Sequence, residues 1–463
     1  MKFKSLIPLV IVPFVLSGCN NSQDKNKDKN TKEKGVVTLE LEGTANPDRK
    51  KPYKLSFNYD NAYFNHPATQ FDDDLKLLSF AGSCASKDLE TADYFFSKMF
   101  FDNPHSHGYD IPTSEDTIGY YFAHKTIDDS DLIAVSIRGY NYGKEWANNC
   151  TIGATGNHAG FTLRASEIFE DLDSYVTEMT GEDRTTKIWL TGYSRAGGIA
   201  NVLADKLMAD GGDFITGNNL FVYTFEAPAG IATENIVEYP NVFNIINSCD
   251  LVTKIPPVQY GFGRCGVDVD IYNEDWKNMV YKFDAGIDFP RFHSKSNSYT
   301  SESEFVDFFL NLLLAKPDES YETYSLESRE TYVNVFEDNI AYFMSFYFSL
   351  TNEEVEILKG VFNGLDSSAF LTAFYTVDGL YNLLKPTLDE NEIEYDETKL
   401  KYALEVLRRY LIGHSSLMLE LINADIFNPG INQNTIDNLQ RILAMHYPEV
   451  TYSLISQQTF AEE

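Results

Sequence analysis

Ser194 is the residue whose neighbours point most clearly to nucleophilic catalysis. It lies in Gly192-Tyr193-Ser194-Arg195-Ala196, with one small residue two positions before it and another two positions after it. A nucleophilic serine on a sharp turn between a strand and a helix needs such neighbours, because the helix packs closely beneath the strand. The pattern by itself is weak, since average residue usage would produce it in about one chain in four of this length, and serine also caps helices. A catalytic role therefore requires an acid, a base and oxyanion donors as well.

Two carboxylates follow apolar runs that have the composition of strands. Asp250 comes after the run 242–247, and Glu226 comes directly after Leu220–Phe225. Open α/β sheets place their catalytic groups at the carboxyl ends of the strands. Asp250 is the predicted acid, Glu226 is its rival, and a turn-capping role is the structural alternative for Asp250.

Three histidines follow Asp250 and could supply the base. α/β-Hydrolases order their triad as serine, acid and histidine along the chain, which leaves His293, His414 and His446. His293 lies in a predicted loop, His414 lies within or between predicted helices, and His446 ends a predicted helix just before Pro448. The residues themselves leave this choice open.

Backbone N–H groups at two turns could stabilise an oxyanion. Arg195 follows the serine at a predicted helix start, where the N–H groups and the positive end of the helix dipole face Ser194. Gly139 allows a sharp turn off a predicted strand, so that the N–H of Tyr140 or its neighbour could point into the same site. The guanidinium of Arg195 could favour an anionic group on the substrate, or it could pair with a surface carboxylate.

His105 and His107 form the only other histidine pair that suggests a site. They lie in Asn-Pro-His-Ser-His-Gly, which reads as a loop without matching carboxylates. Structural or catalytic zinc would need three or four such ligands. We therefore predict no metal site and no cofactor.

The elements that must position these residues follow from the hydrophobic pattern. From Pro52 to Phe292, short apolar runs alternate with amphipathic segments, which is typical of an α/β fold with a mostly parallel sheet. The predicted strands and helices around the site are as follows: strands 132–139, 187–192, 220–225 and 242–247, and helices 160–179 and 194–208, the second closed by Gly211 and Gly212.

Beyond Thr300 the pattern changes to apolar residues at spacings of three and four, which predicts helices only. This part is rich in Phe, Tyr and Leu. Such residues suit an ordinary helical core, and they also suit a lid or a binding groove with exposed aromatic side chains. Both interpretations remain open.

The first 52 residues predict export and attachment to a membrane. Lys2 and Lys4 precede an apolar run at 6–16, and Leu16-Ser17-Gly18-Cys19 follows, which is the pattern of a bacterial lipoprotein signal. The apolar run is too short to span a bilayer comfortably. Cleavage before Cys19 and acylation of that residue would anchor the protein by lipid outside the cytoplasm. The polar residues that follow predict a disordered tether.

Composition restricts the partners. The chain has 463 residues and a formal net charge of −32, from 69 acidic and 37 basic side chains, which argues against a nucleic-acid partner. Four cysteines follow Cys19 and allow three pairings, among which the sequence does not choose: Cys84, Cys150, Cys249 and Cys265.

Five segments, in order over residues 132–260, resemble the class 3 (fungal-type) lipase family of α/β-hydrolases, particularly its exported bacterial members. LIAVSIRGYN with the following EWANN is similar to the family's strand, arginine-glycine turn and tryptophan. The other four segments are NHAGF, WLTGYSRAGG, VYTFEAP and NIINSCDLVTKIPP. They are similar to the family's His-x-Gly-Phe segment, its nucleophile elbow, its next strand and its acid-bearing segment.

The resemblance implies that Ser194 is the nucleophile, Asp250 the acid and Tyr140 the residue of the oxyanion turn, and that His158 is structural. It also favours His446 as the base, because exported relatives end in a similar His-x-Pro-Glu segment. Two departures stand out: Ala196 replaces the usual glycine, and Tyr193 stands where the family often has histidine.

These inferences give a complete expectation. Residues 1–18 are a signal peptide, 19–52 a tether, 53–300 an α/β-hydrolase core, and 301–463 a helical region that packs on the core and supplies the histidine. The expected activity is cleavage of a small-molecule or lipid ester through an acyl-enzyme by a membrane-anchored serine hydrolase. The alternatives are a non-catalytic binding lipoprotein on a hydrolase scaffold and a serine peptidase.

Overall fold

The structure is a computed structural model, and it describes most of the chain from residue 33 onward. The described residues are 33–41, 53–109, 117–139, 149, 151–181, 183–212, 215–281, 289–296, 299–314, 342, 346, 350–363, 365, 369, 372–373, 376–413 and 433–458. Cys19, Tyr140, Cys150 and His414 lie outside the described residues.

Strands and α-helices are interspersed up to residue 281, and the later elements of the described chain are helices. The strands are β1 Lys34–Leu41, β2 Tyr53–Asp60, β3 Asp102–His107, β4 Tyr120–Ile127, β5 Ser130–Ile137, β6 Thr185–Tyr193, β7 Leu220–Phe225, β8 Ile231–Ala232, β9 Val242–Ile246, β10 Phe262–Gly263 and β11 Val267–Asp270. The helices are α1 Asp73–Ala85, α2 Leu89–Lys98, α3 Ala159–Met179, α4 Arg195–Asp210, α5 Trp276–Tyr281, α6 Glu302–Leu314, α7 Asn352–Asn363, α8 Val377–Glu390, α9 Glu397–Gly413, α10 Gln433–Ala444 and α11 Pro448–Ile455.

A seven-stranded sheet forms the centre, in the order β11-β9-β7-β6-β5-β4-β3. The strands from β11 to β5 pair in parallel, and β4 pairs antiparallel with both β5 and β3. Strands β5 and β7 are buried along their whole length, as expected of parallel strands covered by helices on both faces. The predicted α/β-hydrolase-like, mostly parallel sheet is confirmed.

Helices cover both faces of this sheet, and each face has its own apolar core. Successive side chains of a strand point to opposite faces, so Trp189 packs with α1 and α2, while Ile188 and Leu190 pack with α3 and α4. The predicted helix at 160–179 and the predicted strand at 220–225 match α3 and β7 closely.

The predicted tether of residues 19–52 is wrong over the segment that forms β1. Lys34–Leu41 forms β1, which pairs antiparallel with β2. In β2 every second side chain is buried, from Tyr53 to Tyr59, and Val37 and Leu39 of β1 join the same core. This short segment forms a strand because β2 pairs with it and completes its backbone hydrogen bonds, while its alternate apolar side chains enter the core.

The C-terminal region is helical wherever the structure describes its elements, as predicted. Helix α11 packs against α1 and α5, and Met445, Val450 and Leu454 lie in the same apolar core as Trp189. Helices α7, α8 and α9 enclose a separate cluster that includes Leu384, Leu388 and Leu404. Among the described residues, no helix combines the length and the apolar character needed to cross a membrane.

Candidate active site

Ser194 occupies a strained turn at the end of the central strand β6. Its backbone has φ 56° and ψ −129°, a conformation that residues other than glycine adopt only at a cost and that is concentrated at functional sites. The Ser194 N–H donates to the carbonyl of Phe225 at 2.8 Å. The side chain makes no capping bond to α4, which begins at the next residue. The hydroxyl is therefore not used as a helix cap.

The small neighbours are required by close packing of backbone on backbone. A Cβ atom on Gly192 would lie 2.4 Å from the Ala196 carbonyl oxygen, and one on Gly139 would lie 1.8 Å from the Tyr193 carbonyl oxygen. The turn that follows β5 is thus in direct contact with the serine turn. Tyr140, the next residue, was predicted to supply an oxyanion donor here and lies outside the described residues.

The structure brings Ser194, His446 and Asp250 together in one line of hydrogen bonds. Ser194 Oγ lies 2.7 Å from His446 Nε2, and His446 Nδ1 lies 2.6 Å from Asp250 Oδ2. Both distances fall in the range required of a nucleophile and its base. Because ionised Asp250 can only accept, Nδ1 carries the proton and Nε2 is the acceptor for the serine hydroxyl.

Burial differs along this line in a way that suits catalysis. Asp250 is fully buried, whereas the His446 side chain remains 21% exposed. The other oxygen of Asp250, Oδ1, accepts from the Val252 N–H at 2.9 Å. The carboxylate is therefore fixed in position, while the imidazole remains partly accessible to solvent.

Tyr193 connects the serine turn to the histidine through the backbone. Its hydroxyl donates to the His446 carbonyl at 2.8 Å and lies 3.0 Å from Thr451 Oγ1 of α11. Burial, followed by the nearby Glu226 carboxyl, raises the pKa of Tyr193 well above its ordinary value, so this hydroxyl stays protonated. Sequence reasoning noted Tyr193 as a departure and missed its role, because its partners lie more than 250 positions along the chain.

Glu226 lies behind Asp250 and does not take its place. It follows β7 with φ 46° and is fully buried. Its carboxyl oxygens accept from the Asn247 N–H and the Thr451 hydroxyl, each at 2.9 Å. The His446 Nδ1 is directed at Asp250 instead, so of the two candidate acids the structure places Asp250 next to the base.

The other predicted histidines have different partners. His293 Nε2 lies 3.0 Å from Asp437 Oδ2, and its N–H donates to Asn438 on α10. His158 is buried and caps α3, accepting from the Phe161 N–H through Nδ1 at 3.3 Å. Of the three candidate bases, His293 and His446 are described, and only His446 meets Ser194.

His105 and His107 differ from the prediction. They lie on the edge strand β3 rather than in a loop, and each has a carboxylate beside it, Asp171 at 2.6 Å and Glu167 at 3.1 Å. Both carboxylates belong to α3, which the sequence could not place next to β3. The described residues contain no cluster of three or more side chains suited to a metal ion.

Arg195 and the cysteines in the described part of the chain are buried. The Arg195 side chain is 2% exposed and donates to the Thr117 carbonyl at 3.3 Å. Its backbone N–H remains in the first turn of α4, next to Ser194. Cys249 and Cys265 are free, buried thiols, and burial raises the pKa of Cys249 to about 12.

Comparison with known proteins gives one family match and several similar solved structures. Residues 134–260 match the family described as Lipase (class 3). No curated protein matches the chain.

Several solved structures are similar at low identity. A triacylglycerol lipase described as having a serine protease triad is 17% identical, with 52% of this chain and 84% of that chain covered and a TM-score of 0.34. The Rhizomucor miehei lipase propeptide complex is 16% identical, with 43% and 69% covered and a TM-score of 0.36. Lipase II from Rhizopus niveus is 17% identical, with 42% and 78% covered and a TM-score of 0.33. The family match, over residues 134–260, includes the segment that carries Ser194 and Asp250.

Proposed function

We propose that the protein is a serine hydrolase that cleaves carboxylic esters through an acyl-enzyme. The observation that carries this proposal is the hydrogen-bonded line from Ser194 Oγ to His446 Nε2 and from His446 Nδ1 to Asp250 Oδ2, at 2.7 and 2.6 Å. This is the arrangement of a nucleophile, a general base and an orienting acid. It is supported by the match of residues 134–260 to class 3 lipases.

Each residue has a defined part in the proposed reaction. His446 removes the hydroxyl proton as Ser194 Oγ attacks the ester carbonyl, and Asp250 orients the imidazole and stabilises its positive charge. His446 then returns the proton to the leaving alcohol, which leaves an acyl group on Ser194. Water, activated by the same histidine, releases the acid and restores the serine.

The oxyanion would be held by two backbone donors. One is the N–H of Arg195 at the positive end of α4, and the other is the N–H at the Gly139–Tyr140 turn. Contact between this turn and the serine turn supports the assignment. Each such donor typically contributes about 2.7–4 kcal/mol to stabilisation of the transition state.

The proposed substrate is a lipid or another apolar ester, and the proposed location is the outer side of the cell membrane. The first part rests on the class 3 lipase match, and the second on the signal pattern that ends at Cys19.

Kinetics with matched esters and amides test the activity. We expect the full chain, purified in detergent, to hydrolyse acyl esters and to leave peptide amides of the same acyl group intact, and we expect Ser194→Ala to lose ester hydrolysis. Equal ester hydrolysis by the two proteins would contradict the proposal. Preferential amide cleavage would indicate a peptidase instead, and no turnover of either substrate would indicate a binding protein.

A further inference from the structure

The carboxyl group of Glu226 is a buried titratable group that the proposed reaction does not use. Asn247 links it to Asp250: the Asn247 N–H donates to Glu226, and the Asn247 carbonyl accepts from the Asp250 N–H, each at 2.9 Å. Both side chains are fully buried, and the charge of Asp250 acts on Glu226. Two adjacent buried carboxylates cannot both be ionised without a large electrostatic penalty. One of the two must therefore carry a proton.

The neighbours of the two groups determine which one is charged. Asp250 faces the N–H of His446 through Oδ2 and the N–H of Val252 through Oδ1, so both of its oxygens are needed as acceptors. Glu226 accepts from the Asn247 N–H and the Thr451 hydroxyl. A protonated carboxyl can accept these two bonds and still donate one of its own. Burial, and then the charge of Asp250, raise the pKa of Glu226 well above its ordinary value.

The backbone also holds Glu226 in place at some cost. Its φ of 46° lies in the left-handed region, which is unfavourable for a residue other than glycine and persists where the surroundings enforce it. Here the Glu226 N–H donates to the Ile245 carbonyl at 2.9 Å. The strain is located beside the acid, as the strain at Ser194 is located at the nucleophile.

We propose that Glu226 is a positioning residue that, in its neutral form, donates a hydrogen bond to the Asp250 carboxylate and holds it in line with His446. The proposal rests on the proposed function, because it assigns a partner to the acid of that site. The Thr451 hydroxyl donates to Glu226 and lies 3.0 Å from the Tyr193 hydroxyl. These contacts connect the acid, the histidine backbone and α11.

Steady-state kinetics of Glu226→Ala and Glu226→Gln on an acyl ester test the proposal. We expect Glu226→Ala to lower kcat by about 10-fold to 100-fold, the loss that a displacement of about 1 Å can cause, with little change in KM. Glu226→Gln keeps a neutral donor of the same size and should recover most of that loss. Full activity of Glu226→Ala, or an equal loss in the glutamine variant, would overturn the proposal.

A double mutant of Glu226 and Asp250 tests whether Glu226 positions Asp250 or only supports the fold. If Glu226 acts through Asp250, then Glu226→Ala should cost almost nothing further in a protein that already carries Asp250→Ala, because residues that act as a unit are not additive. An additive loss would indicate a merely structural role. Thermal unfolding of each variant identifies any that fails to fold. If Glu226→Ala fails to fold, the kcat of Glu226→Gln tests the proposal instead.

The acid limb of kcat/KM against pH tests whether Glu226 is neutral. This limb reports the pKa of the base in the free enzyme. In the described part of the chain, Asp250 and Tyr193 face the Glu226 carboxyl, and His446 and Cys84 lie beside these two. We expect Glu226→Gln to leave the limb in place. If Glu226 were an anion, its removal would lower the pKa of the imidazolium and move the limb to lower pH, which would overturn the proposal.

Failure of the proposed function has a separate signature. If Ser194→Ala and the wild-type protein hydrolyse the ester equally, there is no serine hydrolase for Glu226 to assist. If Ser194→Ala is inactive and Glu226→Ala is fully active, the proposed function stands and only the role of Glu226 fails.

Discussion

At the scale of residues, the histidine is the part of the site that depends most on tertiary structure. Ser194 and Asp250 each follow a strand, so sequence reasoning found both at the carboxyl edge of the sheet. His446 lies 252 positions from Ser194, and three histidines satisfied the same order along the chain. Local pattern could not choose among them, because packing of the last two helices decides which imidazole reaches the serine.

Tyr193 yields a prediction at this scale. Tyr193→Phe removes the hydroxyl that donates to the His446 carbonyl and leaves a partly buried acceptor without that donor, which typically costs about 1–3 kcal/mol. Because the lost bond holds the base, we expect kcat to fall as well. Chemical unfolding and ester kinetics measure the two effects.

The matched control is Tyr175→Phe. The Tyr175 hydroxyl also donates to a backbone carbonyl, that of Asn103 at 2.6 Å. Tyr175 lies on α3, far from His446 in the sequence. It should lower stability without lowering kcat. A similar loss of kcat in both variants would show that the Tyr193 effect is not specific to the histidine.

At the scale of elements, the buried parallel strands were predictable and the edges of the sheet were not. Strands β5, β6, β7 and β9 each contain a largely apolar run, as expected of strands buried in a parallel sheet. Strand β3 has the sequence Asp-Asn-Pro-His-Ser-His and is largely exposed, so its composition resembles that of a loop. An edge strand needs only one partner, and here β4 supplies it.

Helix α10 ends two residues before His446 and is held by a buried ion pair. Arg441 of α10 pairs with Glu302 of α6, and both side chains are less than 10% exposed. Arg441 also donates to the Pro290 carbonyl at 2.7 Å. The position of the histidine therefore depends on how α10 docks against α6.

Arg441→Met tests this dependence. It leaves Glu302 buried without its cation, and breaking a buried pair in this way costs about 3–5 kcal/mol. We expect lower stability in urea unfolding, faster proteolysis in the C-terminal helices and a lower kcat. Lys401→Met breaks an exposed pair with Glu397 and should change little. If Arg441→Met unfolds like the wild-type protein, α10 is not held by this pair.

At the scale of the whole molecule, the last helix α11 belongs to the apolar core of the α/β sheet. The domain scheme predicted from sequence has the helical region 301–463 pack on the core. Met445, Val450 and Leu454 lie in the same apolar core as Trp189. Periodicity predicted helices correctly here. It carries no information on which surface a helix covers, so the contact with α1 could not be predicted.

The proposed lipid anchor belongs to this scale. In a bacterial host, we expect the full chain to incorporate an alkyne-labelled fatty acid and to sediment with membranes, because the signal pattern ends at Cys19. Cys19→Ala should lose both the label and the membrane association while the protein keeps its ester hydrolysis. Equal labelling of the two proteins would place the acyl group, if any, elsewhere.

Labelling of the active site by a fluorophosphonate, followed by intact-mass spectrometry, tests the central claim most directly. We predict a single adduct on the wild-type chain, located at Ser194, none on Ser194→Ala, and labelling of His446→Ala that is slower by orders of magnitude than labelling of His293→Ala. An adduct on Ser194→Ala, or equal labelling rates for the two histidine variants, would contradict the assignment of Ser194 and His446 as nucleophile and base.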